Sequence, residues 1–306
     1  MVSAVTDHHR ETTGGRTSGA TPRRARRPAR SWLRWLGLLP FVAFLLIFLL
    51  LPAFGVIRKA FVDTNGGFST AAMRLAITTE RKAFRQSIML SLLSALLGVV
   101  IGTPLAYVAA TAKRPKWLRT VVSAFSGVAA NMGGVVLAFA FISLLGAQGL
   151  GTKILKALGV DIYGHGFKLN DFKGWVTVYL YFQIPLMILV VLPAIDGLKA
   201  SWREASSNLG GTTWTYWRRV GIPVLFPSML GGFMLLFANA FSAYATAYAL
   251  NPGANLVPVK ISFYLQGDVS DSSPMPFALA TWMVIIMVVS MGTYFWLRKR
   301  AERWQS

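Results

Sequence analysis

Six long blocks free of Asp, Glu, Lys, Arg and His leave this chain one natural solvent, the lipid bilayer. A transmembrane helix needs about 20 predominantly apolar residues. The blocks run Trp35–Ile57, Gln86–Ala110, Val121–Leu145, Trp175–Ile195, Pro227–Leu250 and Phe277–Leu297. A soluble domain spreads its apolar residues at helix or strand period instead of gathering them in such stretches. Composition agrees, with 54% hydrophobic and 14% charged residues, where a soluble domain carries about 25% charged. The expected fold class is an all-α membrane protein with six transmembrane helices. The first block follows a basic run, but its apolar core exceeds the roughly 7–15 residues of a secretory signal. No small-residue cleavage site follows it, so it reads as an uncleaved anchor.

Charge sets the orientation. The chain has 31 Lys and Arg against 11 Asp and Glu, a net charge of +20. In a soluble protein that excess would point to nucleic acid. Here the basic residues flank apolar blocks, where they mark the cytoplasmic side. With both termini cytoplasmic, 20 basic residues fall inside and 11 outside. Arg81, Lys82 and Arg85 fall outside and run against the bias without reversing it. Residues 1–34 then form a basic cytoplasmic tail, too poor in apolar side chains to offset the entropy of ordering. Within it, Arg23–Arg30 is a topology signal that also suits anionic lipid head groups. Residues 35–297 form the six-span domain and residues 298–306 a short cytoplasmic tail.

Several function classes drop out. Without cysteine there is no disulfide, thiol chemistry or cysteine metal site. His8, His9 and His165 are too scattered for a metal cluster, so no metal and no cofactor is expected. Asp196 and Glu204 have no histidine or cysteine companion for acid–base or nucleophilic work, which argues against an enzyme. No Gly-x-x-x-x-Gly-Lys-Ser/Thr phosphate loop occurs, so ATP hydrolysis would belong to another subunit. The alternative, an ion-coupled secondary transporter, usually carries ionisable residues within its spans, and these spans have none, which leaves open only sodium carriers that use carbonyls and hydroxyls.

The segment from Asp196 to Pro223 carries the most information. Leu198, Trp202, Ala205 and Leu209 follow helical spacing and make one apolar stripe, with Arg203, Glu204 and Asn208 off it. Gly210 and Gly211 end that helix, since glycine takes the left-handed conformation readily. Thr212 or Thr213 caps a second short helix with Trp214, Trp217 and Arg218, which Pro223 ends. Elsewhere Ser87, Ser91, Ser94, Gly98 and Gly102 place small side chains on one face of the second span, the signature of close internal packing. Leu150, Ile154 and Leu158 line one face of a short external surface segment.

On these residues the chain resembles the binding-protein-dependent permeases of ATP-binding cassette importers. Their cytoplasmic signature runs Glu-Ala-Ala, three residues, Gly, nine residues, Ile, one residue, Leu-Pro. Here Glu204-Ala205-Ser206 is followed by Ser207-Asn208-Leu209, Gly210, nine residues, Val220, Gly221 and Ile222-Pro223. Ser206, Val220 and Ile222 depart conservatively. The resemblance implies a type I importer permease architecture, in which loop 196–223 docks on the ATP-hydrolysing subunit. Arg203, Glu204, Ala205, Ser206, Gly210, Val220 and Pro223 would then be the ATPase-coupling residues, with Glu204 near a basic partner and Gly210 setting the turn. The implied partners are an ABC ATPase dimer, a second permease subunit, identical or homologous, and an extracellular solute-binding protein. Ser207-Asn208-Leu209-Gly210 and Ala238–Leu250 look more like polyamine, phosphonate and ferric-iron importer permeases than sugar ones.

Polar residues inside the spans, Asn131, Gln183, Asn239, Ser242, Tyr244 and Thr246, either line a translocation path or bond neighbouring helices. Asn239 and Ser242 lead that set, because the fifth span lines the path in the family.

Overall fold

The computed structural model describes residues 38–63, 66–111, 117–266 and 273–302. The expectations for residues 1–34 and for the end of the 298–306 tail lie outside the described residues. Two units are distinguished, Met1–Pro52 and Ala53–Ser306. Helix α1 (Leu39–Ala60) contains a π-helical turn at Leu46–Leu50 that ends just before Pro52. Proline lacks an N–H and its ring clashes with the carbonyl four residues back, so a widened turn ahead of it relieves both problems.

In the second unit the helices are α2 (Ala71–Thr79), α3 (Arg81–Thr111), α4 (Trp117–Asn131), α5 (Gly134–Leu145), α6 (Leu150–Ala157) and α7 (Phe172–Asp196). They are followed by α8 (Ala200–Asn208), α9 (Thr213–Ser242), α10 (Ala245–Leu250), α11 (Val257–Gln266) and α12 (Met275–Glu302). Among the described residues, six stretches are long and apolar enough to cross a membrane, the third of them Gly134–Ala157. A turn at residues 146–149 and the lysines Lys153 and Lys156 set α6 apart from α5. We therefore place the third crossing on α4 and α5 together.

Two expected spans differ in form. Val121–Leu145 is not one helix, because α4 ends at Asn131 and α5 begins at Gly134, which has φ +78°. The adjacent Gly133 is extended, and a pair of glycines is where a span breaks most cheaply. Pro227–Leu250 also changes. Its helix starts upstream at Thr213, ends at Ser242 and resumes as α10. Pro223 does not stop the second loop helix. A π turn at Trp217–Gly221 absorbs the proline, as Leu46–Leu50 does before Pro52, and α9 runs on into the membrane.

Helix α7 is the centre of the bundle, packed against α3, α4 and α9. The small-residue face of α3 is what admits it. A Cβ at Gly98 would lie 2.6 Å from Leu236 Cδ2, and one at Gly102 would lie 2.7 Å from Met187 Cβ. Gln183 is fully buried there, and its amide donates to Leu236 O at 2.9 Å and to Ser94 Oγ at 3.5 Å. On the external side Glu80 is buried, accepts a hydrogen bond from Tyr264 at 2.9 Å and lies 3.8 Å from Lys260 Nζ. Val257 N donates to Ser87 Oγ at 2.9 Å, so α11 is anchored to the α2–α3 junction through both groups. Burial and the neighbouring Glu80 push the Tyr264 phenol up to about 12. Leu150, Ile154 and Leu158 are exposed along one edge of α6.

Candidate functional site: the signature loop and a cavity between two broken spans

The loop after α7 is built by its glycines. Gly210 sits at φ +75°. Its N–H bonds Ser207 O at 2.9 Å, and the Gly211 N–H bonds Ser206 O at 2.8 Å. These are the two bonds of a Schellman motif, which satisfies the last carbonyls of α8 and reverses the chain. A Cβ on Gly211 would meet Ser206 O at 2.7 Å, so both glycines are needed, one for its φ and one for the close approach. Thr212 is the cap that the sequence left open between two threonines. Its Oγ1 accepts from Thr215 N at 3.3 Å.

The start of α9 is pinned to the bundle by aromatic contacts. The Trp217 ring stands edge-on to Tyr107 of α3, centroids 4.7 Å apart. Gly221 lets that ring lie over the π turn, since a Cβ there would come within 2.5 Å of Trp217. Arg119 of α4 pairs with Asp196 at the end of α7, 2.5 Å apart, at the same end of the bundle.

Beyond these anchors α8 has no buried residue. Of the expected apolar stripe, Leu198 and Trp202 are half-buried, Ala205 is exposed and Leu209 is 89% exposed. Trp214 follows at 68% exposed. Arg203 and Glu204 are exposed, and Glu204 has no ion pair among the described residues. Val220 and Pro223 lie in α9, on and just after the π turn.

A second feature lies within the span region. The break in the third crossing and the break in the fifth meet. Gly134 N donates to Thr246 Oγ1 at 2.7 Å, and Tyr179 of α7 donates to Ala243 O, the carbonyl freed where α9 stops, at 3.1 Å. Interrupted helices at membrane depth are tolerated where their backbone is re-satisfied or lines a cavity. A cavity of about 360 Å³ lies between them, and Asn131, Asn239, Ser242, Tyr244 and Thr246 are among its lining residues. Asn131 Nδ2 is bonded to Gly127 O at 2.9 Å and Ser242 Oγ to Ala238 O at 2.9 Å, both within their own helices. Tyr244 OH pairs with Ser262 Oγ at 2.8 Å.

Gln183 does not reach this cavity. Of the two roles open to it from sequence, the interhelical bond is the one the fold uses. Tyr179 and the Gly133–Gly134 pair are members of the site that sequence reasoning missed. Two adjacent glycines inside an apolar block were the available signal.

Residues 98–303 match the family described as binding-protein-dependent transport system inner membrane component. The chain belongs to this family. It is a multi-pass permease of the cell membrane, the transmembrane subunit of an ABC importer. The permease is 26% identical over 267 residues to a probable molybdenum ABC transporter permease of Haloferax volcanii, covering 86% of this chain and 92% of that one. It is 23% identical over 272 residues to the spermidine/putrescine transport system permease PotB of Haemophilus influenzae, covering 85% and 92%. With the thiamine transport system permease ThiP of Haemophilus influenzae it shares 24% identity over 182 residues, 60% of this chain and 32% of that longer one. Among solved structures, a bacterial alginate ABC transporter in complex with an alginate pentasaccharide-bound periplasmic protein matches with a TM-score of 0.70 and 19% identity. That match covers 89% of this chain and 95% of the other, and establishes the shared fold.

Proposed function

We propose that this permease couples ATP hydrolysis in a separate ABC ATPase dimer to passage of a small solute through the cavity between its broken third and fifth spans. The ATPase engages the loop formed by α8 and the start of α9, a second permease subunit, identical or homologous, completes the path, and an external binding protein delivers the solute. One observation carries the reading. Helix α8 is closed by the Gly210–Gly211 turn, yet none of its apolar or charged side chains is buried in the permease's own core. An amphipathic helix left in that state fits a partner better than it fits water. Glu204 leads the coupling set, with Arg203, Ala205, Ser206 and Gly210 around it and Val220 and Pro223 carrying movement into α9. Relatives named for molybdenum, spermidine/putrescine and thiamine transport support a small solute. The cavity residues Asn131, Asn239, Ser242 and Thr246 are the path candidates, and ion coupling finds no Asp, Glu, Lys, Arg or His among the cavity's lining residues.

The experiment is Glu204→Ala in the full transporter. Removing a carboxylate paired across a desolvated interface costs about 2–5 kcal/mol. Co-purification of the ATPase, or ATP hydrolysis stimulated by the loaded binding protein, should then fail while the permease still inserts. Full assembly, stimulated hydrolysis and uptake would show Glu204 to be a bystander.

A further inference from the structure

The chemistry of the cavity says more than its position. No Asp, Glu, Lys, Arg or His is among its lining residues, and its polar side chains are amides and hydroxyls. Several of these are already committed. Ser242 donates to Ala238 O, Tyr244 is paired with Ser262, and Thr246 accepts from Gly134 N, leaving the Thr246 hydroxyl hydrogen for another acceptor. Asn131 spends one of its two N–H bonds on Gly127 O. The Asn239 amide has no partner among the described residues. What remains uncommitted includes N–H and O–H donors on Asn131, Asn239 and Thr246.

A polyamine or a ferric ion entering such a site would give up water with no carboxylate to replace it, a heavy desolvation cost. An oxyanion is held well by N–H and O–H dipoles alone, without a counter-charge. The external face as a whole has matching electrostatics. The external segments hold 11 basic and six acidic residues, and two of the acids, Glu80 and Asp161, already face Lys260 and Lys156 at 3.8 Å each. A net positive external face concentrates anions and repels cations near the membrane surface.

We infer that the solute passing this chain is a small oxyanion, recognised in the cavity by the Asn131 and Asn239 amides and the Thr246 hydroxyl. The inference rests on the cavity being the path. Of the solute classes raised by the sequence resemblance, phosphonate fits it, whereas polyamine and iron cations do not. A second copy of this chain would double the same uncharged lining.

The test uses the complete transporter, with its ATPase and binding protein, in ATP-loaded vesicles offered radiolabelled sulfate, phosphate, molybdate, methylphosphonate, spermidine or glycerol. Uptake of at least one of the four oxyanions, and of neither spermidine nor glycerol, is expected. Ser242→Trp, which fills the cavity, should abolish that uptake. Asn239→Asp, equal in size but negatively charged, should lower it by about tenfold or more through like-charge repulsion. Ser242→Leu and Asn131→Asp repeat the two arms should either first variant fail to assemble with the ATPase. Uptake indifferent to the filling variants would overturn the cavity as the path, whatever the solute. Uptake blocked by filling but indifferent to the added carboxylate would overturn the oxyanion assignment alone, as would transport of spermidine or glycerol, or failure to transport any of the four oxyanions.

Discussion

At the residue scale, two glycines separated by a whole span solve the same problem differently. Gly210 and Gly134 both hold positive φ, but Gly134 faces Ala245 Cβ at 3.6 Å, whereas Gly210 has open space around the position of a Cβ. Substitution at 210 therefore acts through backbone strain alone, with no steric clash. Gly210→Val should cost about 1–3 kcal/mol of local stability, because a β-branched residue resists the left-handed region. The expected result is a permease made at normal membrane abundance whose ATPase co-purifies poorly, and Gly210→Asn, which tolerates that region better, should recover most of the assembly. Glu204 and Gly210 would thus fail by separate routes, one by removing a charge and the other by misdirecting the helix that carries it.

At the element scale the decisive feature is that two transmembrane helices are interrupted and stitched to each other. Thr246 Oγ1 accepts from Gly134 N at 2.7 Å, and Thr246 is buried. Thr246→Val keeps the shape and removes the acceptor, leaving a buried N–H unsatisfied at about 1–3 kcal/mol. Thermal unfolding of the purified permease should shift downward, and Thr246→Ser should restore it. The external anchor of α11 obeys the same logic. Glu80→Ala removes the acceptor of Tyr264 and the counter-charge of Lys260 together. The segment from Val257 to Gln266 should then become the first part of the external face to exchange its amide hydrogens, while α3 and α7 stay protected, since they pack through Gly98, Gly102 and Met187 instead.

For the whole molecule, the orientation follows from the distribution of basic residues and can be measured directly because the chain has no cysteine. Ser207→Cys and His165→Cys, both at exposed positions, should react oppositely with an impermeant thiol reagent applied to intact cells. Only position 165 should label, and labelling at 207 would reverse the topology. What the sequence determined by itself is the class of fold, the presence of apolar stretches long enough to cross a membrane, and the glycine turn of the signature loop. Those follow from composition, charge placement and local rules: apolar length sets a crossing, Gly210 sets a turn, and Glu204 to Pro223 keep a fixed spacing. Tertiary structure decided where the spans break and what the breaks do. Gly133–Gly134 permits an interruption, but only Thr246 and Tyr179, arriving from other helices, satisfy the backbone that it frees. Gln183 and Asn239 read alike in sequence as polar residues in apolar helices. Packing alone sends one to the carbonyl of Leu236 and the other to the cavity, because the rotation of a helix about its axis is fixed by its neighbours and not by its own residues. Pro223 makes the same point: its local rule ends a helix, and a π turn braced by Trp217 against Tyr107 lets the helix continue.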